Sequence, residues 1–366
     1  MRITAAVAPA EGEPLAMQEL ELDDPRPGEV RVRMVASGIC HTDAIVRDQW
    51  YPVPLPAVLG HEGAGVVEAV GDGVSRVGVG DHVVLSFASC GECDLCLTGH
   101  PAYCATFYDL NFSGRRPDGS AAYTADGGDD VSSHFFGQSS FATHANVYER
   151  CLVKVPESAP LDLLAPLGCG IQTGAGAILN RLDPPAGSSV VVFGAGAVGM
   201  AALLAAVVAE AGTVVAVDPV ASRRDLALEL GATHAVDPHD GDPVERIREI
   251  TGGGADYALD TTGVPAVFRQ LSDCLGTLGH GAMVGATTPG TEGTVDIGTT
   301  LLSGQTLHMV IEGDAVPQTF IPRLIGLYEQ GRFPFDRLVK HYAFDDINTG
   351  FADSESGEVL KPVVRY

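Results

Sequence analysis

A chain of 366 residues has room for two domains with separate cores. Its 47 acidic and 22 basic side chains leave a formal net charge of −25. That charge excludes nucleic acid and anionic membrane surfaces as partners, because both need positive charge. The acidic excess reads as surface solvation or as adaptation to salt, two readings that composition leaves open.

The opening MRITAAVAPAEGEPL lacks the long apolar core of a signal peptide, so the cytoplasm is the expected compartment. Short β-type segments follow (VRVRMVA, AGVVEAV, DHVVLSF), separated by Gly and Pro turns and with little helical periodicity. Residues 1–170 are therefore expected to form a β-rich domain of the partly open barrel type. Inside it, Cys90, Cys93, Cys96 and Cys104 share the stretch CGECDLCLTGHPAYC. This C-x2-C-x2-C-x7-C spacing can close around one tetrahedral Zn2+ from a single loop. Four thiolates fill the shell and leave no corner for substrate, so that zinc would be structural and the chemistry must lie elsewhere. A disulfide pair is the other reading, and an intracellular chain disfavours it. The next segment, residues 105–138, is long and polar, with GRRPDG and DGGDD, and is expected to be an exposed, mobile excursion.

Residues 190–209 carry no charge and are largely apolar, a pattern that a membrane span would share. Three early glycines, β-branched residues before them and Ala and Leu after them predict instead a buried strand, a turn and a buried helix. The strand VVVF leads into Gly194, Gly196 and Gly199, the G-x-G-x-x-G spacing; a helix, the strand TVVAV and Asp218 follow. One glycine permits the tight turn, the second lets a pyrophosphate approach the backbone, and the third lets the helix pack on the strand. The helix N-terminus offers free N–H groups to the phosphates. Asp218 can accept hydrogen bonds from an adenosine ribose and would repel a 2′-phosphate, so the pattern favours NAD over NADP.

The βα alternation then continues. Ser222 reads as the N-cap of SRRDLALEL, which stops at Gly231; THAV follows, and Asp242 with Pro243 opens PVERIREI. DYALD, AMVG and TLHMV read as further strands, making six in a doubly wound parallel sheet over residues 171–311. From residue 312 one helix is clear, TFIPRLIGLYEQ, closed by Gly331. The remainder reads as irregular and as returning to the first domain.

Three short pieces each set one soft or borderline ligand among glycines: Cys40 in SGICHTD, His61 in GHEGAG and Cys169 in LGCGIQTG. Two thiolates and one imidazole with a fourth position free suit a catalytic zinc, and this ligand set is already known from alcohol dehydrogenase. Taken singly, each cysteine is more often a buried thiol and the histidine more often a surface or capped residue. Cys151 and Cys274 read as buried thiols, and the other histidines lack ligand-like surroundings.

Taken together, CHTD, GHEGAGVVEAVGDGV, GDHVVLSF, the four-cysteine loop and GAGAVG resemble, in that order and over essentially the whole chain, the zinc-dependent medium-chain alcohol dehydrogenases. The C-terminal run from EGDAVPQTF to KPVVRY is similar to the aryl-alcohol (benzyl-alcohol) branch and to enzymes of terpene alcohols such as geraniol. The resemblance implies a GroES-like catalytic domain (1–170 and 312–366), a Rossmann domain (171–311), NAD and two Zn2+ per chain. It implies that Cys40, His61 and Cys169 bind catalytic zinc and that Glu62 lies behind the metal. Asp43 would fix the His61 tautomer, and Thr42 would set its hydroxyl beside the alcohol oxygen. Asp218 and Arg223 would hold the ribose, and His41 and Lys361 would face the pyrophosphate.

The implied reaction moves a hydride from the alcohol carbon to nicotinamide in a dry cleft between the domains. Some family members end the proton relay on a histidine five residues after the first zinc cysteine; here that position is Ile45, so the relay would end on His41 or water, or be shorter. Trp50, Tyr51 and Phe87 fall where the family lines its substrate pocket, which would suit a flat apolar alcohol; ordinary packing is the equal alternative. The second enzymatic reading is a thiol-adduct formaldehyde dehydrogenase, and the third is a non-catalytic protein that kept the fold. A homo-oligomer, dimer or tetramer, is implied, with TLHMV as the candidate edge strand for pairing.

Overall fold

The computed structural model describes residues 1–366. The chain forms two units, one of residues 1–169, 316–325 and 336–366 and the other of residues 170–315 and 326–335.

The first unit is built on two sheets. In one, Arg2–Ala8 pairs antiparallel with Ala16–Leu22 and with Ala57–Val58. In the other, the long strand Glu29–Gly38 is central. It pairs antiparallel with Gly63–Val70, His144–Tyr148 and Lys361–Arg365. Along it, Val30, Val32, Met34 and Ala36 are buried while Arg31 and Arg33 point outward, the period of two that a half-buried strand shows. The pairing with Lys361–Arg365 carries the end of the chain into the same sheet as the strands that flank Cys40 and His61. Phe135, Phe141, Tyr123, Leu20, Leu22 and Leu59 fill the core of this unit with almost no exposure. Each such side chain contributes roughly 1.5–3 kcal/mol by leaving water.

The second unit holds a six-stranded, fully parallel sheet. Its strand order is His234–Val236, Thr213–Val217, Ser189–Phe193, Ala255–Asp260, Leu275–Met283, Thr306–Met309. The central strands are continuous apolar runs because helices cover both faces. Residues 190–209 resolve into the strand Ser189–Phe193 and the helix Ala197–Val208. No helix of the chain is long and apolar enough to cross a membrane. Gly199 is required where it stands: a Cβ there would come 1.8 Å from the carbonyl oxygen of Gly194.

Three expectations need correction. Residues 105–138 are only in part an exposed excursion: residues 117–119 and 126–130 are exposed, but the segment as a whole is folded into the unit. They contain the helix Phe107–Phe112 and the hairpin Tyr123–Thr124 with Asp130–Val131, which extends the first sheet. Residues 131–142 are buried throughout. Polar composition misled here because the polar groups pair with one another below the surface. Arg116 donates to Glu29 at 2.6 Å and to Asp23 at 2.9 Å, and His134 lies 3.0 Å from Glu29.

The helix after Asp218 spans Ala221–Glu229 and starts two residues earlier than a Ser222 cap allows, with Val220 at the cap position. The amides of Arg223 and Arg224 already bond the carbonyl of Val220. By contrast, Asp242 does cap Pro243–Thr251, accepting from Val244 N at 2.8 Å.

The tail is regular rather than irregular. Val339–Ala343, Ile347–Glu355 and Lys361–Arg365 form strand, helix and strand. Lys361–Arg365 pairs with Glu29–Gly38, a partner over three hundred residues away that no local pattern signals, and Val339–Ala343 pairs in turn with Lys361–Arg365.

Candidate functional site

The strand Glu29–Gly38 delivers the chain to Cys40, which precedes the short helix His41–Arg47. Gly60 sets the direction of His61. Its φ is +87°, and a Cβ would meet the backbone and ring of Phe141 at 2.6 Å, so only glycine fits. Cys169 follows the 3-10 turn Ala165–Gly168. These three segments bring Cys40, His61 and Cys169 together, with ligand atoms all within 4.8 Å of one another. His61 and Glu62 are fully buried and Cys169 nearly so.

The donor set fits zinc on an observation beyond proximity. His61 Nδ1 is 2.9 Å from Asp43 Oδ1, which assigns the ring proton to Nδ1. The opposite nitrogen, Nε2, is buried and has no hydrogen-bond partner. A buried imidazole nitrogen left without a partner is costly unless it ligates something. The electrostatics agree. A hydrogen bond from the Cys169 thiol and the charge of His61, against the opposing effect of burial, hold the Cys40 thiol well below its ordinary value. Burial opposes protonation of His61, yet the charges of Asp43 and Cys40 outweigh it and hold the imidazole well above the ordinary histidine value. The trio is thus arranged to surround positive charge.

Glu62, the next residue after His61, is also wholly buried. Burial raises its carboxyl above the ordinary value, opposed by the nearby ammonium of Lys361. Lys361 donates to both Glu62 oxygens, at 2.9 and 3.0 Å, and to the Ile39 carbonyl at 3.2 Å. The ammonium that the resemblance assigns to a pyrophosphate is therefore engaged in a buried ion pair. His41 is exposed at the first turn of its helix, and Ile45 is buried. Thr42 Oγ1 lies 3.8 Å from Cys40 Sγ, so its hydroxyl borders the ligand trio.

A chain of aromatic rings runs outward from His61. Phe136 stacks on the imidazole at 4.6 Å and Phe135 meets it edge-on at 5.4 Å. Phe136 in turn contacts Phe112 at 5.2 Å and Phe107 at 6.3 Å; Phe112 reaches Tyr51 and Phe107 reaches Phe87, both at 5.9 Å. Tyr51 and Phe87 thus join this wall, whereas Trp50 is 47% exposed at the surface. Sequence reasoning missed Phe107, Phe112, Phe135 and Phe136. The local signal was present, with three phenylalanines among the seven residues FFGQSSF, but the first two fell in the segment read as an excursion.

Cys90, Cys93, Cys96 and Cys104 also converge, with their sulfurs within 4.8 Å of one another and no disulfide among them. N–H groups point at the sulfurs: Cys90 N at 3.3 Å from Cys104 Sγ and Cys93 N at 3.3 Å from Cys90 Sγ. Backbone N–H bonds, chiefly from Ala105 and Cys96, bring the Cys93 thiol down to about 6. Such donors stabilise thiolates, the form a metal binds.

In the second unit, Gly194, Ala195 and Gly196 form the turn before the helix Ala197–Val208. A Cβ on Gly196 would project into open space, so a pyrophosphate can reach this backbone, and no side chain caps the helix start. Asp218 is nearly buried. Its Oδ2 accepts from Ala195 N at 2.7 Å and its Oδ1 from Val220 N at 2.8 Å, with Arg223 3.8 Å away.

Known proteins share both the sequence and the fold. Residues 26–157 match the alcohol dehydrogenase GroES-like domain family, and residues 197–329 match the zinc-binding dehydrogenase family. Geraniol dehydrogenase of Castellaniella defragrans is 49% identical over 365 residues, covering 99% of this chain and 97% of its own. S-(hydroxymethyl)glutathione dehydrogenase of Paracoccus denitrificans is 35% identical over 382 residues, with both chains fully covered. The crystal structure of benzyl alcohol dehydrogenase from Acinetobacter calcoaceticus superposes with a TM-score of 0.97 at 52% identity, over 100% of this chain and 99% of that one. The barrel unit and the parallel-sheet unit are therefore the GroES-like and Rossmann domains of that family. The chain belongs to the zinc-binding medium-chain dehydrogenases and is an alcohol dehydrogenase of that family.

Proposed function

We propose that this enzyme reversibly oxidises primary aromatic or allylic alcohols to aldehydes, with NAD as hydride acceptor and two Zn2+ per chain. The observation that carries the reading is the partnerless, buried His61 Nε2 between two thiols, beside a wall of aromatic rings. Cys40, His61 and Cys169 would hold one zinc with a corner left for substrate. When bound, that zinc supplies the positive charge that lowers an alcohol's pKa towards neutrality and polarises an aldehyde carbonyl in reverse. The Thr42 hydroxyl takes the alcohol proton and passes its own to water or to the exposed His41. NAD, when bound, would supply the acceptor for the hydride of the alcohol carbon, leaving the aldehyde.

The chain's own residues prepare that step. Asp43 fixes the His61 tautomer. Phe136, Phe107, Phe112, Tyr51 and Phe87 give a flat apolar substrate a dry face. Asp218 supports NAD over NADP by placing a carboxylate where a 2′-phosphate would sit. The exposed edge of Thr306–Met309, with Met309 59% and Leu302 of the neighbouring helix 89% exposed, supports a homo-oligomer joined through that sheet.

The test is a spectrophotometric panel of benzyl, cinnamyl, geranyl and short aliphatic alcohols with NAD and NADP, beside zinc quantitation. Turnover of benzyl or cinnamyl alcohol with NAD at two zincs per chain is the expected result. Preference for S-hydroxymethyl thiol adducts over every free alcohol would transfer the reading to the formaldehyde branch.

A further inference from the structure

Three segments far apart in the chain must meet at one point, and Asp43 accounts for only two of them. Its carboxylate accepts Cys40 N–H at 3.0 Å and holds the His61 ring at 2.9 Å; neither bond reaches Cys169. A second path of buried hydrogen bonds does. Gln138 Oε1 accepts from Gly63 N at 3.1 Å, and its Nε2 donates to the His61 carbonyl at 2.8 Å and to the Ser86 carbonyl at 3.1 Å. Ser86 Oγ then donates at 2.7 Å to the carbonyl of Gly168, the residue before Cys169. Ser86 N is itself anchored on the Cys151 carbonyl at 2.8 Å. Gln138, Ser86 and His61 are all fully buried. Gly168 is pressed against the end of the strand His82–Leu85: a Cβ there would lie 1.9 Å from the Leu85 carbonyl oxygen.

We infer that Gln138 and Ser86 are positioning residues for the open metal centre, tying the backbone of His61 to that of Cys169 and so setting the distance between imidazole and second thiolate. The inference rests on reading the trio as a zinc site. A three-ligand shell lacks the fourth protein bond that would hold its geometry, so the geometry must come from the surrounding hydrogen bonds. The four-cysteine loop has no such need, because its shell is complete. Gln138 can act this way only as an amide: Oε1 must accept while Nε2 donates to two carbonyls buried around it.

The test uses Ser86→Ala and Gln138→Met in the full chain loaded with two metals. Metal release to a chromophoric chelator is followed, and the visible d–d absorption of the Co2+-substituted protein is recorded. Each variant is expected to release one metal about 10- to 100-fold faster, the usual weight of a residue supporting a ligand, and to shift the Co2+ bands. The other metal, held by four cysteines, should leave at the native rate. Ser86→Thr, which restores the hydroxyl, should return release to near native. Native release rates and native Co2+ bands in both variants would overturn the inference. So would accelerated loss of both metals together, or a Ser86→Thr variant as fast as Ser86→Ala. Should Gln138→Met fail to fold, Ser86→Ala, which removes a single oxygen atom, decides alone. A native chain that binds only the four-cysteine metal would instead reject the open-site reading on which the inference stands.

Discussion

His61 Nδ1 and Asp43 Oδ1 lie 2.9 Å apart, with both side chains wholly buried. The same oxygen accepts Gly60 N–H at 3.0 Å, and the other carboxylate oxygen accepts Cys40 N–H at 3.0 Å. One side chain thereby orients the imidazole, the turn that presents it and the backbone of a neighbouring thiol. Asp43→Ala should lower affinity for the open-site metal about 10- to 100-fold while the four-cysteine metal stays bound. Chelator competition on the two-metal protein measures this, and equal retention of both metals would refute the assigned role of Asp43.

Thr42 has a different task, since its hydroxyl borders the trio without supporting it. Thr42→Val, close to isosteric, should reduce kcat about 100-fold, the ordinary weight of a general acid–base step, with both zincs retained. Near-native turnover in a fully loaded variant would remove Thr42 from the proton path.

Asp218 holds the glycine turn and carries the charge that disfavours a 2′-phosphate. Asp218→Asn keeps a side-chain acceptor and removes the charge. The ratio of kcat/KM with NADP to that with NAD should rise at least about 10-fold, the effect of about 1.4 kcal/mol of relieved repulsion. An unchanged ratio would place cofactor choice elsewhere.

Glu29 joins Arg116 and His134 in a buried cluster of the first unit. Burial pushes its carboxyl up, but the bonds from His134 and Arg116 and the His134 charge outweigh burial, lowering it from 4.5 to about 2. A carboxyl lowered on folding contributes stability that is present above its unfolded pKa. That stability is lost as pH falls through the folded pKa, here between about 4.5 and about 2. Glu29→Gln should therefore lower Tm at pH 7, where breaking a buried pair costs about 3–5 kcal/mol. The gap in Tm from the native protein should narrow as pH drops below 4.5. Melting curves of both proteins from neutral to acid pH check this; a gap that stays constant would show that the Glu29 charge does not matter.

The parts of the site that could be read in advance were those whose chemistry is local. Four cysteines within fifteen residues, three glycines at set spacing before an apolar helix, and a capping Asp242 before Pro243 each bring their partners with them along the chain. Segments whose partners lie far away were misread. Residues 105–138 looked solvated because Arg116 gives no local sign that Glu29 and Asp23 wait for it. Gln138 looked like one more polar loop residue, although its amide joins the His61 segment to the end of the strand His82–Leu85. Lys361 reads as a free cation until Glu62 is found against it.

Residue type and spacing along the chain pointed to two domains, a four-cysteine metal loop and a dinucleotide-binding turn, and the family resemblance singled out the three candidate ligands of an open shell. Only three-dimensional packing could decide that Cys40, His61 and Cys169 meet and that His61 Nε2 is left without a partner. It also decided that Phe107, Phe112 and Phe136 pack into one run of rings that reaches the His61 imidazole. The reason is physical. A tight turn or a helix start is set by torsions and hydrogen bonds within a few residues, whereas an open metal corner exists only when strands distant in sequence pack close enough to exclude water.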